Sequence, residues 1–206
     1  MLDKIVLDIE TKNSFADVGG KQNLKMLDVS LIGVYSYKRD EYFGFEEKDF
    51  PLFEKMLKET GAIIGFSIYN FDLPLISKLY NNYDFSKYII LDILKEIEEK
   101  RGHRIKLDDL AQANIGVGKN GNGLEAIELY REGKIDELKK YCLNDVKITK
   151  ELYELILEKG EIIIPSRFQK PIVMPFEWRK LHNELDQKLE ELEKELKSLP
   201  IQNSLF

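Results

Sequence analysis

Tyr141 and Asp145 stand four residues apart in a stretch, Ile135 to Leu157, whose positions Ile135, Leu138, Cys142, Val146, Thr149, Leu152, Tyr153 and Ile156 recur at helical spacing. One turn apart, the two side chains share a side of the helix, next to Leu138, Cys142 and Thr149. A carboxylate at the edge of a buried stripe is costly unless something cationic meets it. A salt bridge or an amide would serve, and so would a metal ion with a phenol beside it; this motif alone leaves both open. Asp8 and Glu10 add a second pair, two residues apart in the β-branched run KIVLDIE, so both leave one face of a strand, roughly 7 Å apart at the backbone. Like charges on a buried strand repel and lose solvation, and a divalent cation relieves both costs. Asp72 follows in GFSIYNFDLPLI, where Asn70 and Pro74 mark a turn into a helix. Strand ends are where α/β sheets place their chemistry, although a helix-capping aspartate is the competing reading. Four hard oxygen donors without clustered histidine or cysteine favour Mg²⁺ or Mn²⁺ over zinc.

The elements that must position these residues are legible as periodicity. Lys4 to Glu10 reads as a strand buried on both faces and therefore central. Further strands are expected in Leu27 to Tyr37, Tyr42 to Phe45, Ala62 to Phe66 and Tyr88 to Leu91. Helices are expected over Phe50 to Thr60, stopping at Gly61, then Pro74 to Tyr80, Ile93 to Lys100 and Leu107 to Ala113. A meander followed by alternating helices and strands implies an α/β fold, a mixed five-stranded sheet flanked by helices. Gly116 to Gly123 reads as a loop; its G-x-G-x-x-G spacing follows a helix and not a strand, which makes a dinucleotide site a poor reading. Beyond the long helix, EIII at Glu161 to Ile164 and Pro171 to Met174 suggest a hairpin. Phe176 to Leu199 carries a coiled-coil-like leucine seam, suited to packing on its own domain or to a dimer. The expected division is a catalytic domain over 1–160, a C-terminal hairpin and amphipathic helix over 161–199, and a tail over 200–206.

Composition excludes several function classes. The chain has 206 residues, 43% hydrophobic and 33% charged, with a formal net charge of -6. No whole-molecule positive field draws it to nucleic acid or an anionic membrane, so any grip on a polyanion must be local. The single cysteine excludes an internal disulfide and a cysteine-rich zinc site. Without a leader-like start or an apolar run of membrane length, the chain reads as cytoplasmic.

LDIET at Leu7 to Thr11, NFDLP at Asn70 to Pro74 and YCLND at Tyr141 to Asp145, in that order, resemble the three motifs of the DEDD 3′–5′ exonucleases. The tyrosine four residues before the last aspartate resembles the tyrosine-type subgroup, and the likeness is strongest to the proofreading domain of B-family DNA polymerases. It spans about Lys4 to Lys159 and departs at Ser67, where the family pattern has an asparagine. The resemblance implies a ribonuclease-H-like fold and a stand-alone exonuclease acting on DNA in replication or repair, with an exoribonuclease or a non-catalytic nucleic-acid-binding module as alternatives. It further implies two Mg²⁺ or Mn²⁺ ions held by Asp8, Glu10, Asp72 and Asp145, with Asp8 bridging them and Tyr141 orienting the attacking water.

Thr11, Asn70, Phe71 and Lys119 are the expected nucleic-acid contacts, and Lys100 to Lys106, KRGHRIK, is the densest basic run. His103 within it reads as a surface residue. The final pentapeptide QNSLF resembles the peptide by which bacterial replication proteins dock on a sliding clamp, with Gln202, Leu205 and Phe206 as anchors. A tail folded back on the domain is the alternative.

Overall fold

A computed structural model describes residues 2–118, 123–166, 170–178 and 187–195. Strand β1 (Asp3–Thr11) is its spine: β2 (Val29–Ser36) pairs with it antiparallel on one side and β4 (Thr60–Gly65) parallel on the other. With β3 (Glu41–Glu46) beside β2 and β5 (Ile89–Asp92) beside β4, the sheet order is β3-β2-β1-β4-β5. This is the expected mixed five-stranded sheet.

The period-two alternation of β1 sorts its side chains between two cores. Ile5, Leu7 and Ile9 pack with Phe53 and Leu57 of α1 (Phe50–Lys58) and Ile76 of α2 (Asp72–Leu79). Val6 faces the opposite core, with Ile97 of α3 (Ile93–Arg101), Leu110 of α4 (Leu107–Ile115) and Val146, Leu152 and Ile156 of α6 (Ile135–Lys159). Each such side chain contributes about 1.5–3 kcal/mol on burial, which commits both faces of the sheet to helices. Asp8 and Glu10 keep the phase of Val6, so they leave β1 on the α6 face.

Gly33 of β2 lies opposite Asp8 in the antiparallel register. A Cβ added there would stand 2.6 Å from Cys142 Sγ and 3.0 Å from Val146 Cγ2. The missing side chain is therefore what lets α6 approach the sheet beside Asp8.

Some boundaries differ from the periodicity. The first helix ends at Lys58, and Gly61, expected to stop it, lies inside β4. Pairing of Asp3 with Thr60 draws that segment into the sheet. A 3₁₀ segment, Lys21–Met26, and α5 (Gly123–Arg131) were not expected. The glycine loop before α5 is described only up to Gly118, so Lys119 lies outside the described residues. The hairpin forms as β6 (Glu161–Ile164) and β7 (Ile172–Pro175), and its Ile162, Ile164 and Met174 share the α6-side core with Phe176 and Trp178. Residues 187–195 are helical, with Leu189 buried against Ala62 and Leu2. The remainder of the leucine seam and the peptide Gln202 to Phe206 lie outside the described residues. Among those described, no helix is long and apolar enough to cross a membrane.

Candidate active site

Beyond Val6, β1 outruns its pairing with β4, whose last partner is Ile64. A strand edge released this way presents backbone N–H groups that must find other acceptors. The N–H of Ile9 donates to Asp72 Oδ1 at 3.0 Å, across 63 residues of sequence. Asp72 therefore does not act as the cap of α2: the N-cap position is Phe71, and no side chain caps it. The carboxylate is 3% exposed. Burial pushes its pKa up to about 8, against the N–H groups of its own backbone and of Ile9, which lower it, and with Asp92 adding repulsion.

Asp145, one turn after Tyr141 on α6, is 4% exposed, and Cys142 between them meets Asp8. The thiol donates to Asp8 Oδ2 at 3.5 Å and to the Asp8 carbonyl at 3.6 Å. Burial raises its pKa first, and the charges of Asp8, Glu10 and Asp145 raise it further, so it stays protonated as a donor. Ligand atoms of Asp8, Glu10 and Cys142 lie within 4.8 Å of one another.

Asp8, Glu10, Asp72 and Asp145 all line one cleft of about 460 Å³, with Phe15, Phe66, Ser67, Asn70 and Phe71 on its walls. Four carboxylates from β1, α2 and α6 thus converge as the sequence motifs anticipate. Convergent carboxylates, one of them buried deeply enough to hold its proton, suit a hard divalent cation that would neutralise them together. The donor set fits Mg²⁺ or Mn²⁺, and the thiol serves here as a hydrogen-bond donor to Asp8.

Tyr141 is placed differently from the carboxylates. It is 9% exposed and packs with Leu31, Ala126 and Leu138, under Leu129 and Tyr130 of α5, outside the cleft lining. Asn70 and Phe71 do line the cleft. Phe71 meets Phe15 edge-on, centroids 6.0 Å apart, and the pair also walls an adjoining, mainly apolar hollow of about 490 Å³ that reaches Leu27, Leu124 and Ile127. Thr11 lines that hollow while its hydroxyl donates to the Asn13 carbonyl at 2.9 Å.

Two site residues, Asp92 and Lys21, escaped the sequence reading, and a third, Arg104, was marked only as part of the basic run Lys100 to Lys106. Asp92 caps α3 by accepting from Lys95 N–H at 3.1 Å and also accepts from the N–H groups of Ser67 at 2.8 Å and Tyr69 at 3.1 Å. An aspartate just before an apolar helical run was recognisable as a cap, but not as the anchor of another loop. Lys21 and Arg104 line the carboxylate cleft as its cations. Of the basic run, Arg104 alone does so; Lys100 donates to the Pro175 carbonyl at 2.8 Å, and His103 is exposed.

The model of the RNase_H_2 family, within the RNase_H superfamily, matches residues 5–157. No curated protein sequence matches. Among solved structures, the family B DNA polymerase from the hyperthermophilic archaeon Pyrobaculum calidifontis superposes with a TM-score of 0.59 at 19% identity, over 76% of this chain and 25% of the polymerase. At that identity the likeness is one of fold, and this chain spans a quarter of the polymerase's length.

Proposed function

The chain belongs to the RNase_H superfamily, and from that premise we propose that it is a metal-dependent 3′–5′ exonuclease that hydrolyses DNA, in replication or repair. The observation that carries this is the meeting of Asp8, Glu10, Asp72 and Asp145, remote in sequence, in one cleft. These four would hold two divalent ions, Mg²⁺ or Mn²⁺. Bound there, such ions supply charge neutralisation at the phosphate and acidify water that would otherwise be a poor nucleophile at neutral pH.

The chain's own groups do the remaining work. Asp72 is oriented by the Ile9 N–H, and Asp8 by the Cys142 thiol, so both carboxylates are set before substrate arrives. Phe71, braced by Phe15, offers an aromatic surface for the terminal base at the mouth of the apolar hollow. The mainly apolar surface of that hollow suits stacking more than base-edge readout, which favours sequence-independent removal of nucleotides. Asn70 stands where it can hydrogen-bond the same nucleotide, and Thr11 backs the hollow. With an unperturbed value near 10, a phenol at neutral pH is a hydrogen-bond donor, so Tyr141 orients water and does not deprotonate it. That role requires its hydroxyl to reach the cleft that Asp145, one turn further along α6, lines.

The test is to incubate 5′-labelled single- and double-stranded DNA and RNA with Mg²⁺ or Mn²⁺. A ladder shortening from the 3′ end and stopping on addition of chelator is expected, with DNA preferred. Internal cuts, or inert substrates with every metal, would remove the exonuclease proposal.

A further inference from the structure

Ser67 adopts φ +68°, a left-handed conformation uncommon for a residue carrying a Cβ. Such a conformation persists only where the surroundings over-determine it. Here two contacts do so. The Ser67 N–H donates to Asp92 Oδ1 at 2.8 Å, and the Ser67 hydroxyl accepts from Arg104 Nη2 at 2.7 Å. Arg104 Nη1 also lies 3.5 Å from a Glu98 carboxylate oxygen.

Both Ser67 and Arg104 line the carboxylate cleft. Two contacts engage two of the five N–H groups of a guanidinium and leave the rest of its fork available. The side chain is more than half exposed, so the Glu98 pairing is screened and holds the arginine without consuming it. An arginine fixed in this way beside four carboxylates has a forked geometry matched to the non-bridging oxygens of a phosphodiester.

Resting on the nuclease reading, we propose that Arg104, held ready by Ser67, binds a backbone phosphate of the strand entering the cleft. It is a binding residue for the strand rather than a ligand of the metals. Asp92 anchors the device by fixing the loop that carries Ser67, through the N–H groups of Ser67 and Tyr69.

The experiment uses the full chain and a 5′-labelled oligothymidylate. Arg104→Gln, Arg104→Lys and Ser67→Ala are measured for KM and kcat at saturating Mn²⁺, for oligonucleotide binding by anisotropy across a salt series, and for Mn²⁺ binding by the protein alone. Arg104→Gln is expected to raise KM and Kd by about ten- to a hundredfold, the loss of one charge-assisted hydrogen-bonded contact. It should also flatten the log–log salt slope by about 0.7, the share of one phosphate on a single strand. Arg104→Lys should recover the slope but only part of the affinity, because a lysine restores the charge without the fork. Ser67→Ala should fall between wild type and Arg104→Gln.

Wild-type KM and salt slope in Arg104→Gln would overturn the proposal. So would tighter Mn²⁺ binding with unchanged oligonucleotide affinity, which is what an arginine serving only as counter-charge to the carboxylates would give. If the wild type binds oligothymidylate but hydrolyses nothing, the nuclease reading falls, and the anisotropy series still decides the role of Arg104.

Discussion

Asp72 bears an electrostatic cost that begins with its removal from water and is increased by the neighbouring Asp92. In the unfolded chain its proton is lost near the ordinary 3.8, whereas the folded, metal-free protein keeps it to about 8. Between those values the folded state binds more protons than the unfolded one, so stability falls as pH rises, by at most about 1.4 kcal/mol per pH unit for this one group. Thermal melts of chelated protein should therefore show a lower Tm at about pH 8 than at about pH 5. Asp72→Asn, whose Oδ1 retains the Ile9 N–H, should flatten that decline and abolish the gain in Tm that Mn²⁺ brings to the wild type. Identical pH profiles for the two proteins would show that Asp72 is not the group responsible. Asp145→Ala is expected to cut the hydrolysis rate by at least about a hundredfold, whereas Tyr141→Phe should retain measurable activity, since a group that orients water removes less than a group that holds the metal. Wild-type rates in both would remove the proposed mechanism.

At the level of elements, the site depends on how closely α6 lies against β1 and β2. Gly33 makes that approach possible, since a side chain there would collide with Cys142 and Val146, the residues flanking Asp145's turn. Gly33→Val is expected to destabilise the protein by about 1–3 kcal/mol, the usual cost of overpacking, and to weaken Mn²⁺ binding as α6 moves away from Asp8. Gly44→Ala is the control: its added methyl meets only the flexible side chain of Lys139, at 3.4 Å, and both properties should stay at wild type. Chemical denaturation and Mn²⁺ titration of the two variants check this directly. The long helix and the central strand were legible because each buries a continuous set of apolar residues at its own period. Helix α5 was not, being nine residues long with Leu124 60% exposed, a segment whose helicity comes from packing on α6 and not from its own pattern.

For the whole molecule, a net charge of -6 means that association with DNA gains nothing from the overall field. With Lys21 and Arg104 as the cations lining the cleft among the described residues, wild-type oligonucleotide binding should follow a shallow salt slope, about -1.4 for two phosphates on a single strand. A much steeper slope, measured by anisotropy titrations, would point to a basic surface elsewhere. The amino-acid sequence by itself determined which residue types were available and in what order: three acidic motifs, a central strand buried on both faces, helices announced by their periodicity, and an acidic composition. Local spacing decides those properties, because side-chain direction in a strand or a helix repeats with a known period. What the tertiary structure alone decided is which remote groups meet: Asp72 on the backbone of Ile9, Cys142 on Asp8, Arg104 on Ser67, and Tyr141 in one cluster with Leu31, Ala126 and Leu138. The first two arise where β1 outruns its neighbour and α6 presses onto a glycine, and all are consequences of packing between segments far apart in the chain, which no local pattern encodes.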